Sequence, residues 1–128
     1  MVAFGLPTEH EEQAAFCLWA ALQAKQEPAL GLLFAIPNGG KRSIKTARAL
    51  RAEGVRAGVP DLFLPVARGG YNGCFVEMKR SKGGSLSREQ AAFFAELRLQ
   101  GFAVLVCKGA QEAQDGVLDY LGGSYGKS

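Results

Sequence analysis

Residues Gly58 to Arg80 read "GVPDLFLPVARGGYNGCFVEMKR". Two apolar runs, "DLFLPV" and "CFVEMK", flank "ARGGYNG", whose three glycines mark a hairpin-like turn. Pro60 sets the chain direction into the first run, and Pro65 marks its end or a sheet edge. Side chains alternate along a strand, so Glu77 and Lys79 share one face of the second run, with Val76 and Met78 on the other. The hairpin makes Asp61 a neighbour of Glu77. Two close carboxylates repel unless positive charge lies between them. From spacing alone two arrangements remain open. One is an ion pair of Glu77 and Lys79 on a solvated strand face, with Asp61 closing a turn, and it is the commoner for so short a pattern. The other is an oxygen-ligand site for Mg²⁺, which takes one or two protein carboxylates and keeps several waters. In that site an adjacent ammonium would orient water and offset charge growing on a phosphate, which is the chemistry of metal-assisted phosphodiester hydrolysis.

The hairpin lies inside an α-β-α-β-β-α-β-α reading of the chain. The first helix starts at Thr8, where Thr8 and Glu11 form a capping box, and runs to about Gln26, before Pro28. "LLFAIP", Leu32 to Pro37, is a short strand, followed by the loop "NGGKR". "SIKTARALRAEG" is a helix closed by Gly54. After the hairpin comes a basic loop, "RSKGGSL", and then a helix from Arg88 to Gln100, capped by Ser87 with Gln90 in the capping-box position. In that helix Phe93 and Phe94 cannot share one face, so one of them is expected beneath another element or in an oligomer interface. "FAVLVC" reads as a strand buried on both faces, and the last helix spans about Ala110 to Leu121. The 128 residues are expected to form one domain, with its core at about 8–121 and a fraying tail at 122–128.

Composition narrows the function. At 48% apolar the chain can build a core, but its longest apolar run, "AAFCLWAAL", is too short to span a bilayer. The start, "MVAFGLPTEHEE", lacks the pattern of a signal peptide, so a cytoplasmic protein is expected. Cys17, Cys74 and Cys107 are widely spaced, each in an apolar run, and read as buried hydrophobes; there is no CxxC. A single histidine, His10, argues against His-rich metal sites and histidine-based triads. Charge is uneven. From Lys41 to Arg88 eleven Lys/Arg face three acids, a net of +8, while the rest of the chain nets −5. A basic segment of that kind fits either a polyanion partner or a solvated helix face with a flexible loop.

"GVPDLFL" followed by "GCFVEMK" resembles the PD-(D/E)xK nuclease superfamily, and within it the virus-type replication-repair nuclease (VRR-NUC) family of phages and bacteria. The early "TEHEEQ", with Glu9 and Gln13, "IPNGGKR" before the second helix, "EGVRAGVPD", "LSREQ" and "GFAVLVCKGAQEA" match in order and spacing across Thr8 to Leu121. The resemblance implies a restriction-endonuclease-like α-β-β-β-α-β core. Its mixed central sheet would be flanked by helices, with Ser43 to Glu53 as an extra helix between the first two strands. It implies a Mg²⁺ or Mn²⁺ site held by Asp61 and Glu77, with the Met78 backbone carbonyl as a further ligand and Lys79 as catalytic lysine. Related nucleases add a glutamate from the first helix, directly or through water. Glu9 matches by its spacing to Gln13, with Glu12 the alternative; both also suit an acidic first turn. Gln90 is either a capping residue alone or a partner of the lysine or of a substrate phosphate.

Asn38 and Gly39 are turn formers or phosphate-facing donors. Lys41, Lys45 and Arg48 share a helix face, and Arg42, Arg80 and Lys82 lie in adjoining loops, as candidate DNA phosphate contacts. The implied activity is a metal-dependent DNA endonuclease. The first expectation is a homodimeric Holliday-junction resolvase in DNA recombination or repair, since a two-fold dimer matches a four-way junction. Flap or nick cleavage, and a non-catalytic DNA-binding module on the same fold, are the alternatives.

Overall fold

The computed structural model describes residues 5–37 and 43–127. Its elements run α1 (Glu9–Gln23), a 3₁₀ turn (Pro28–Leu32), β1 (Phe34–Ala35), α2 (Ile44–Ala52), β2 (Leu62–Leu64), β3 (Cys74–Lys79), α3 (Arg88–Leu99), β4 (Ala103–Lys108) and α4 (Ala110–Leu121). The four strands form one mixed sheet in the order β1-β2-β3-β4. β1–β2 and β2–β3 are antiparallel, whereas β3–β4 is parallel and is crossed over by α3.

Local chemistry explains the boundaries. The capping boxes expected at Thr8–Glu11 and Ser87–Gln90 are both formed. The hairpin tip is the Gly69–Gly70 pair, closed by reciprocal backbone bonds between Arg68 and Tyr71. Both glycines have positive φ, as a tight hairpin turn matching the twist of its strands demands. Two expectations shift. The first helix stops at Gln23 rather than Gln26. The strand expected over Leu32–Pro37 shrinks to Phe34–Ala35, because Pro28 nucleates a 3₁₀ turn that draws Leu32 in and buries Leu30.

The sheet sorts its two faces by residue parity. Leu62, Leu64, Cys74, Val76 and Met78 face a core built with Phe16 of α1 and Ala113, Val117 and Tyr120 of α4. The Tyr120 hydroxyl donates to the Val66 carbonyl and ties α4 to the end of β2. α3 covers the other face through the fully buried Phe94, beside a cluster in which the Phe63 and Phe75 rings stack at 4.2 Å and Phe102 meets both edge-on. β4 departs from its expected two-sided burial, since Val106 is 37% exposed. α2 buries none of its residues and stands off the sheet. Cys74 and Cys107 are buried, and burial pushes both thiols up to about 12, which leaves them neutral packing groups at physiological pH.

Candidate active site

Three elements meet at one end of the sheet. Glu77 and Lys79, two apart on β3, point to the α3 side, and both are buried, at 2% and 7% exposure. Their ion pair, Lys79 Nζ to Glu77 Oε2, spans 3.1 Å. The pair expected from spacing therefore exists, but inside the protein, where an ion pair contributes little net stability and calls for further partners.

α3 supplies one of these partners. Gln90 Nε2 donates to Glu77 Oε2 at 3.0 Å, and Gln90 Oε1 accepts from Lys79 Nζ at 3.4 Å and from the Ser87 backbone N–H at 3.0 Å. The capping residue and the partner of the charged pair are thus one side chain, and the two alternatives for Gln90 coexist. Gly58 sets the spacing of the loop before Asp61 against α3. It has φ +88°, and a Cβ there would stand 3.2 Å from the Glu89 carbonyl oxygen.

Asp61 closes the site from the start of β2. Its Oδ2 accepts the Met78 N–H at 2.7 Å, while its carbonyl accepts the Ile36 N–H at 2.8 Å. Gly73 and Lys79 give their carbonyls to the N–H groups of Ala103 and Gly109, so odd-numbered β3 residues face β4 with their backbone. Even-numbered residues face β2. Beyond Leu62 the β2 ladder has ended, so the Met78 carbonyl opens on the same edge as Asp61.

One atom is left over. Glu77 Oε1 is buried with no hydrogen-bond partner among the described residues. A lone buried carboxylate oxygen is costly. Burial foremost, then the Asp61 charge, pushes the Glu77 carboxyl up to about 7; Lys79 opposes the shift and Glu9 adds to it. The donors gathered here are carboxylate and carbonyl oxygens, the set that suits Mg²⁺ or Mn²⁺. Among the described residues no group of three or more His, Cys, Asp and Glu side chains is placed to hold a metal, so the fit is to a cation needing two carboxylates.

The two α1 glutamates part company. Glu9 is exposed in the first turn, and its charge reaches Glu77. Glu12 turns instead to α4, whose N-cap residue, Gly109, has no side chain to offer. Glu12 Oε1 accepts the Ala110 N–H at 3.0 Å. Sequence reasoning missed this role because the partners lie 98 residues apart; the only local signal is the glycine where a capping side chain belongs.

Of the candidate DNA contacts, Lys45 and Arg48 are exposed on α2, and Arg80 and Lys82 are exposed in the loop after β3. Asn38, Gly39, Lys41 and Arg42 lie outside the described residues. Phe94 is the core member of the phenylalanine pair, and Phe93 is half-buried beneath Arg56. His10 is exposed.

A mixed α/β sheet that brings a Pro-Asp and a Glu-x-Lys to one strand edge is the arrangement of the PD-(D/E)xK nucleases. The family model of the VRR-NUC domain matches residues 6–111, and the chain belongs to that family, whose domains are nucleases of this type acting on DNA. A solved structure described as a VRR_NUC domain protein is similar over 92% of this chain and 91% of its own, at 26% identity and a TM-score of 0.79. No curated protein matches the chain.

Proposed function

We propose that the protein is a Mg²⁺- or Mn²⁺-dependent, structure-specific DNA endonuclease that resolves four-way junctions as a homodimer. The buried Glu77 Oε1 beside Asp61, with no hydrogen-bond partner among the described residues, carries the metal reading, because a cation there would remove the cost of that oxygen. Asp61, Glu77 and the Met78 carbonyl would hold the ion, with Glu9 contributing through water. A bound dication supplies Lewis acidity, lowering the pKa of water and drawing charge from a phosphate oxygen. The remaining work belongs to the side chains. Gln90 fixes Glu77 Oε2 and restrains Lys79 Nζ. Lys79 presents its ammonium to the attacking water and to the phosphate oxygens, where it stabilises charge that grows only in the transition state. Asp61, held by the Met78 N–H, keeps its orientation through the reaction.

The basic segment 41–88 supports a phosphate-tracking surface, with Asn38, Gly39, Lys41, Arg42, Lys45, Arg48, Arg80 and Lys82 as its contacts. Labelled four-way junction, 5′ flap and plain duplex, each with Mg²⁺, Mn²⁺ or EDTA, form the test. Junction cutting that needs the metal, and that Asp61→Ala and Lys79→Ala each reduce about 10²- to 10³-fold, is expected from the loss of a transition-state donor or ligand. Equal cutting by the variants would reject the residue assignment. Preference for the flap would favour nick- or flap-directed cleavage, and binding without cutting in every metal would favour a non-catalytic module.

A further inference from the structure

A second feature of α3 lies one residue from Gln90 and is not used by the reaction described above. Glu89, Ala92, Phe93 and Glu96 are spaced i, i+3, i+4 and i+7 and form one stripe of the helix. With Arg56 and Ala57 of the loop before β2 they line an open surface depression of about 470 Å³. The Arg56 guanidinium lies 5.1 Å from the centroid of the Phe93 ring. Among the described residues it makes no ion pair with either carboxylate. The tight approach of Gly58 to the Glu89 carbonyl fixes the two walls against each other. A second depression, of about 380 Å³, shares Arg56 and Ala57 and adds Arg51 from the last turn of α2.

We infer that the first depression receives one unpaired nucleobase of the DNA substrate, stacked on the Phe93–Arg56 platform and held by its amino edge to Glu89 or Glu96. The inference rests on the nuclease reading and names a substrate contact for it. An aromatic ring with an arginine over it is the platform on which single-stranded bases stack, whatever their sequence. The carboxylates decide which part of the nucleotide enters. They repel a phosphate but accept hydrogen bonds from exocyclic amino groups, which adenine, cytosine and guanine carry and thymine lacks. Arg51 in the adjoining depression suits the phosphate that follows. Position agrees as well. Arg56 precedes Asp61 by five residues, and Glu89 precedes Gln90 by one, so both walls are covalently continuous with the catalytic site. Branched DNA offers unpaired or easily unpaired bases at the branch point, and such bases cost least to extrude.

Junctions and 5′ flaps carrying 2-aminopurine at single positions around the branch are titrated with the full chain in EDTA, which leaves the strands intact. The parent protein changes the emission at one position. Phe93→Leu loses that change and binds roughly five- to a hundred-fold more weakly, the range for one lost base stack. Phe93→Trp retains the change, and the surface substitution Arg56→Gln diminishes it without disturbing the fold. Thymine at that position weakens binding by the parent, and the double variant Glu89→Gln, Glu96→Gln relaxes this preference. If Phe93→Leu and Arg56→Gln both match the parent in emission and affinity while cutting in Mg²⁺ proceeds, the pocket is refuted and the nuclease reading stands. A parent protein that neither binds nor cuts any of these substrates overturns both.

Discussion

Glu77 is the residue on which the site turns, and its position in the strand alternation is what made it readable. Spacing put Glu77 beside Lys79, and the hairpin put Asp61 beside Glu77. Spacing did not reveal that the face bearing them is buried, because α3 reaches that face only after a crossover. Burial changes the chemistry of the pair, and a pH experiment reads the change. The Glu77 carboxyl sits at about 7 in the folded protein against 4.5 in the unfolded chain. The folded state thus binds this proton more tightly. Its contribution to stability is fully present below about pH 4.5 and is lost as pH rises through about 7. In EDTA, Glu77→Gln is expected to melt close to the parent at pH 5 and several degrees above it at pH 8, a difference worth up to about 3 kcal/mol. Mg²⁺ is expected to raise the parent's Tm at pH 8 and to narrow the gap. A gap of equal size at both pH values would show that Glu77 does not carry the buried charge.

At the scale of elements, local signals fixed the helix starts and the hairpin, whereas long-range contacts decided the rest. Thr8, Ser87 and the Gly69–Gly70 turn act within a few residues and were legible. The first strand was overestimated because its apolar residues serve two elements: Leu32 belongs to the 3₁₀ turn and Phe34 to the sheet. The choice between Glu9 and Glu12 was equally out of reach, since it depends on how α1 lies against α4. The geometry now separates them. Glu12→Ala removes the side-chain acceptor of the Ala110 N–H at the start of α4 and is expected to cost about 1–2 kcal/mol, the range for a lost helix cap. Activity per folded molecule changes little. Glu9→Ala, on an exposed first turn, is expected to leave stability within about 0.5 kcal/mol of the parent's and to lower cutting at limiting Mg²⁺. Urea melts beside Mg²⁺-dependent rates distinguish the two, and the reverse pattern would transfer the supporting role to Glu12.

Across the whole molecule, two exposed surfaces are candidates for contact, one basic and one apolar. Lys45, Arg48, Arg80 and Lys82 are among the exposed charges of the basic segment, and each charge removed is expected to flatten the slope of log K against log salt by about 0.9 on duplex DNA. Affinity measured from low to moderate salt checks this, and an unchanged slope removes that residue from the phosphate contacts. The apolar counterpart is α1. From Gln13 to Ala24 the chain carries no charge, yet Leu18 and Leu22, four residues apart on one face, are 63% and 58% exposed. A helix face of this kind, on the side of the sheet opposite α3, offers a two-fold partner apolar area to bury without covering Glu77 and Lys79. The double variant Leu18→Glu, Leu22→Glu is therefore expected to sediment as a folded monomer where the parent sediments as a dimer. Two active sites on one junction should make the parent's paired incisions nearly simultaneous, and the monomer should leave singly nicked junctions that accumulate. If the parent is itself monomeric at tens of micromolar and still cuts both strands together, α1 is not the dimer face and junction resolution by a homodimer fails with it.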